Sequence, residues 1–240
     1  MVQPGQPIKQ EDFIQSVADA LQFISYYHPA DFVQAMAAAY QREQSPAAKD
    51  ALAQILINSR MSAEGHRPIC QDTGNVVVML KVGMNARWDT QLSIQAMCNE
   101  AVRRAYTFKE NVLRASMLAD PVGKRVNTRD NTPAIVHFDV VPGDTVEVHV
   151  AAKGGGSDNK SKMTMLLPND NVVDWVLQMV PTMGADWCPP GILSLGSGGS
   201  PEMAPMLAKW AMMEPVDMHE LIVRGPATRT EALRLELYEK

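Results

Sequence analysis

The sequence predicts an α+β fold, with helices at the N-terminus and an antiparallel sheet covered by further helices. Three observations predict it. Apolar residues recur at helical spacing through the first sixty positions, two β-rich runs flank Pro142-Gly143-Asp144, and helices and strands come in separate runs. The 240 residues suffice for one large domain or two modest ones with a core of ordinary size.

The elements follow in order. Phe13, Val17, Leu21 and Ile24 share one helical face, and Phe32, Met36 and Tyr40 share the next, with His28 and Pro29 as the break between them. Ser45 and Pro46 read as cap and first helical residue of a third helix through Ser62, which residues 65–68 end. Residues 1–64 are therefore a helical subregion. Residues 75–82 are rich in β-formers and read as a strand that leaves a loop containing Cys70. A helix over 90–106 comes next.

Residues 135–141 and 145–151 alternate like strands, and the Pro-Gly-Asp between them predicts an antiparallel hairpin. The hairpin feeds Lys153-Gly154-Gly155-Gly156-Ser157. A helix over 171–183, with Val172, Val176 and Val180 on one face, leads through Gly184 to Cys188-Pro189-Pro190. Then come Gly196-Ser197-Gly198-Gly199-Ser200 and more helix. The last helical run, 228–240, is followed by no Gly, Asn or Pro, so it reads either as a natural C-terminal helix or as a cut in a longer polypeptide.

Composition narrows the function. Apolar residues are 46% and charged residues 20% of the chain, which excludes a disordered tail or a coiled coil. A net charge of -5 argues against a general nucleic-acid binder, which needs excess Lys and Arg, and leaves a small-molecule partner as the expectation. No apolar run approaches a membrane span, and the N-terminus lacks a signal-like apolar core. Cys70, Cys98 and Cys188 are an odd number at wide spacing, which points to a reducing compartment, the cytoplasm.

Cys70 lies in Arg67-Pro68-Ile69-Cys70-Gln71-Asp72-Thr73-Gly74 and Cys188 in Trp187-Cys188-Pro189-Pro190-Gly191. Thiols on proline-stiffened, glycine-flanked loops suit a cluster or a metal, while an inert buried thiol is the alternative for either. Cys98 lies inside a predicted helix and reads as core. With no Cys-x-x-Cys pair a zinc ribbon is the weaker choice, whereas an iron–sulfur cluster can gather cysteines from distant loops. The turns at 153–157 and 196–200 could offer backbone N–H groups to an anion, or be plain turns; neither has the order of a phosphate-binding or dinucleotide loop. Between residues 101 and 130, seven basic residues stand against three acidic ones, and Arg114 is the favoured partner for a carboxylate. The five histidines show no paired spacing.

Pro68-Ile69-Cys70-Gln71-Asp72-Thr73-Gly74, Lys153-Gly154-Gly155-Gly156-Ser157-Asp158-Asn159-Lys160-Ser161, Cys188-Pro189-Pro190 and Glu214-Pro215-Val216-Asp217-Met218-His219-Glu220-Leu221 together resemble the class I, iron–sulfur-dependent fumarate hydratases, in order and over about the whole chain. Tartrate dehydratases share much of the pattern. The resemblance implies a [4Fe-4S] cluster with Cys70 and Cys188 as two of three ligands, and the third beyond residue 240. It implies Asp72 as the proton-exchanging group, Gln71 as the residue that orients it, Arg114 as a carboxylate partner, and Gly155 and Gly156 as a wall against the substrate. Residues 1–240 would be the N-terminal, cluster-binding portion of a hydro-lyase interconverting fumarate and malate, a homodimer at full length. Tartrate dehydration, or a truncated fragment that binds no cluster, are the alternatives. One departure is Ser197, where the family's glycine loop carries an apolar residue.

Overall fold

The computed structural model describes residues 6–184, 187 and 191–240; Cys188 lies outside them. The chain divides into two compact units, Met1–Gly155 and Gly156–Lys240.

In the first unit β1 (Ile8–Lys9) leads into α1 (Gln10–Tyr26), followed by α2 (Ala30–Arg42) and α3 (Pro46–Gly65). Pro29 stands at the α2 cap, and the Ser45 hydroxyl accepts the Ala48 N–H at the start of α3. Then come β2 (Asn75–Gly83), β3 (Trp88–Asp89), which pairs with β1, and α4 (Ile94–Tyr106). The helix expected from residue 90 starts later because Ser93 caps it, accepting the Ala96 N–H at 3.2 Å. A short ladder of β4 (Leu118–Ala119) and β5 (Val126–Asn127) precedes β6 (Ile135–Val141) and β7 (Val146–Lys153).

The α+β class is as expected, but the hairpin is not. β6 and β7 are not hydrogen-bonded neighbours: β2 lies between them, parallel to β6 and antiparallel to β7. The reason lies in the side chains. β2 carries Val76, Val77, Val78, Met79 and Leu80, apolar on both faces and all buried, whereas β6 and β7 intersperse charged and apolar residues and suit an edge. The Pro-Gly turn therefore spans the end of β2, where the Asn85 N–H donates to the Gly143 carbonyl and the Gly83 N–H to that of Thr145, both at 2.8 Å. A parallel pair needs a long crossover, and α4 lies within the one from β2 to β6.

The core forms where α1 and α4 cover one face of this sheet. Phe13, Ile14, Val17, Ala18 and Leu21 from α1 meet Met97, Cys98, Ala101, Val102, Ala105 and Tyr106 from α4 and Val76, Val78 and Leu80 from β2. Each large apolar side chain so buried contributes about 1.5–3 kcal/mol. On α2 only Met36 of the expected face is fully buried.

The second unit begins with a helical turn, α5 (Gly155–Asp158), that straddles the boundary. It continues with α6 (Val172–Met179), a 3-10 turn over Val180–Met183, α7 (Met203–Met213), α8 (Met218–Arg224) and α9 (Arg229–Glu239). Asn171 caps α6 by accepting from the Val173 and Asp174 N–H groups, and α6 buries Val173 and Val176. Asp217 and Thr228 cap α8 and α9 in the same way. No helix among the described residues is long and apolar enough to cross a membrane.

Candidate active site

The sheet's order decides which loops meet. Because β7 runs antiparallel to β2, with Lys153 paired to Asn75, its exit lies beside the entry of β2. Because β6 runs parallel to β2, its entry lies at that same end. Three segments thus converge: the Cys70 to Gly74 loop, the glycines after Lys153, and the residues before Ile135.

The loop enters β2 through Gly74, at φ +68°, where an added Cβ would stand 2.0 Å from the Lys153 carbonyl oxygen. Only glycine fits there. Two residues earlier, Asp72 is half-buried, and both of its carboxylate oxygens accept main-chain N–H groups. Oδ1 takes that of Gly74 at 3.1 Å and Oδ2 that of Gly155 at 2.9 Å. These bonds fix the direction of the carboxylate, and each oxygen keeps further acceptor capacity. The Asp72 N–H donates to Cys70 Sγ at 3.4 Å. Cys70 and Gln71 are exposed.

The Thr73 hydroxyl donates to the carbonyl of Arg114 at 2.6 Å, which ties the arginine's segment to the same loop, and the Arg114 side chain is exposed. Its basic neighbours Arg103 and Arg104 are engaged elsewhere. Both pair with Glu100, and Arg104 also pairs with Glu11.

Cys70, Asp72, Gly155 and the backbone of Arg114 are therefore brought together within the first unit. Gly156 opens the second unit, and Cys188 lies outside the described residues. Cys98 is fully buried in α4, and burial pushes its thiol up to about 12, so it is a core residue as expected.

Sequence reasoning missed the residues that hold this arrangement. The Tyr106 hydroxyl donates to the carbonyls of Thr73 and Gly74, at 2.9 and 3.3 Å; burial pushes its phenol up to about 12, which keeps it a neutral donor. Asn131 donates from Nδ2 to the Gly74 carbonyl at 2.9 Å. The run Asp130-Asn131-Thr132-Pro133 carried a signal for it, since Asn tolerates positive φ and adopts +63° here.

Among the described residues no three His, Cys, Asp or Glu side chains gather closely enough to hold a metal ion. Of the two cysteines among the described residues, only Cys70 is open to a thiolate-held cluster, since Cys98 is buried. Cys70 is exposed on a braced loop, and its sulfur accepts the Asp72 N–H.

The chain matches the family model described as Fumarate hydratase (Fumerase) over residues 14–240. A protein of Methanocaldococcus jannaschii, provisionally named L(+)-tartrate dehydratase subunit alpha, is 30% identical over 207 residues, covering 83% of this chain and 72% of that protein. L(+)-tartrate dehydratase subunit alpha of Escherichia coli is 28% identical, and that of Shigella sonnei 27%. Each aligns over 227 residues, 93% of this chain and 72% of the relative.

Proposed function

The chain belongs to the fumarate hydratase (Fumerase) family of hydro-lyases, and from that premise we propose that it serves the reversible hydration of fumarate to malate. One observation carries the reading: a single loop bears Cys70, Gln71 and Asp72, and it is bonded to the main chain of Gly155 on one side and of Arg114 on the other.

Fumarate is a flat alkene with a carboxylate at each end, so a site for it needs a cation that grips a carboxylate and a group that moves a proton. Arg114 supplies the grip, because a guanidinium presents paired donors that match a carboxylate. Asp72 moves the proton: the water's oxygen bonds to one alkene carbon as its proton passes to the Asp72 carboxylate, solvent delivers a proton to the other carbon, and Asp72 then returns its proton to solvent. Gln71 donates to the reacting oxygen and orients it for Asp72. Gly155 and Gly156, without side chains, let the substrate approach the backbone. Cys70 and Cys188 would hold two irons of a [4Fe-4S] cluster. When bound, the cluster supplies a Lewis acid that polarises the substrate's oxygens and stabilises developing charge. The name "subunit alpha" of the relatives supports work alongside a second polypeptide.

A second reading, dehydration of L(+)-tartrate, is favoured by the names of the same relatives. The two diacids differ by hydroxyl groups and need the same grip. Anaerobic reconstitution with iron and sulfide, followed by assays on fumarate and on L(+)-tartrate, tests both. Turnover of fumarate at the higher kcat/KM is expected; preference for tartrate replaces the first reading with the second, and turnover of neither by a cluster-loaded holoenzyme removes both.

A further inference from the structure

We infer that Asn131 is a positioning residue that sets the Arg114 segment against the Cys70 to Gly74 loop; the inference rests on the roles proposed above for Arg114 and that loop. The side chain is fully buried, is hydrogen-bonded with the Tyr106 phenol, and makes three further bonds to the main chain. Nδ2 donates to the Gly74 carbonyl at 2.9 Å. Oδ1 accepts the N–H groups of Ser116 and Met117 at 2.7 and 3.1 Å. One amide thus spans the loop that holds the thiol and carboxylate and the segment that holds the guanidinium.

The geometry fits that task. The segment that carries Arg114 lies between α4 and β4, so no helix or ladder fixes it. It is held by Leu113 in the core, by the Thr73 hydroxyl at the Arg114 carbonyl, by Asn127 Nδ2 at the Ala115 carbonyl and by the Thr128 N–H at the Met117 carbonyl. Asn131 holds it at residues 116 and 117, and alone of these also reaches the Gly74 carbonyl. The backbone at Asn131 takes a φ of +63°, which Asn reaches more readily than other residues that have a side chain. Aspartate in its place would keep the two acceptor bonds and turn the bond to Gly74 into repulsion between two buried oxygens, while alanine would lose all three main-chain bonds without that repulsion.

Two measurements on Asn131→Ala and Asn131→Asp test the inference. The first is amide hydrogen exchange of the full chain. Asn131→Ala should speed exchange at 116 and 117, with Val76 to Leu80 still protected, and Asn131→Asp should leave 116 and 117 slow. The second is steady-state kinetics of the reconstituted holoenzyme. Both variants should raise KM for the dicarboxylate about tenfold with little change in kcat, the effect of loosening one charge-assisted hydrogen bond used in binding. Unchanged exchange at 116 and 117 in Asn131→Ala overturns the inference, as does loss of protection that spreads through β2, which would mark a general core residue. An unsubstituted holoenzyme that hydrates no diacid overturns the functional reading instead and leaves the exchange result to decide the role of Asn131.

Discussion

Cys70 and Cys98 carry the same thiol in opposite surroundings, and that difference was largely readable from their neighbours. Proline and glycine around Cys70 signalled a loop, and the apolar spacing around Cys98 signalled a helix core. At about pH 8, iodoacetamide should label Cys70 in the folded chain and leave Cys98 untouched until denaturant is added, since burial holds the Cys98 thiol near 12 and out of reach. Peptide mass mapping checks this, and native labelling of Cys98 contradicts the core packing. Asp72 was legible as a candidate, but its hold on the Gly74 and Gly155 amides was not, because those bonds depend on strands far apart in sequence. An amide at this position keeps the side chain's shape and one of the two main-chain bonds but takes up no proton. Asp72→Asn in the holoenzyme is expected to keep its iron and lower kcat by about a hundredfold or more. Near-normal kcat would make Asp72 a loop anchor only.

Among the elements, β2 fixes most of the site, since its two neighbours bring Gly155 and Asn131 to its entry. The helices were legible because spacing and caps are local: Ser45, Asn171 and Thr228 each start a helix where the sequence indicated. The pairing of β6 and β7 was misread for a physical reason. Pro142-Gly143-Asp144 is good hairpin chemistry, and only the doubly apolar character of β2 shows that it must sit inside the sheet. Leu80, fully buried between the sheet and the helices, tests that placement. Leu80→Ala should cost about 3 kcal/mol in urea unfolding, whereas an edge position would cost far less.

At the scale of the whole molecule, family membership and the braced Cys70 loop support the central proposal made above, that Cys70 and Cys188, and not the core Cys98, would hold the iron of a hydro-lyase. Iron content after anaerobic reconstitution tests it most directly, in the unsubstituted holoenzyme and in Cys70→Ser, Cys188→Ser and Cys98→Ala. Alanine is chosen at Cys98 because a hydroxyl there would be buried without a partner. Cys70→Ser and Cys188→Ser should each lose the bound iron while Cys98→Ala retains it. Iron retained in Cys70→Ser, or lost only in Cys98→Ala, would contradict the account.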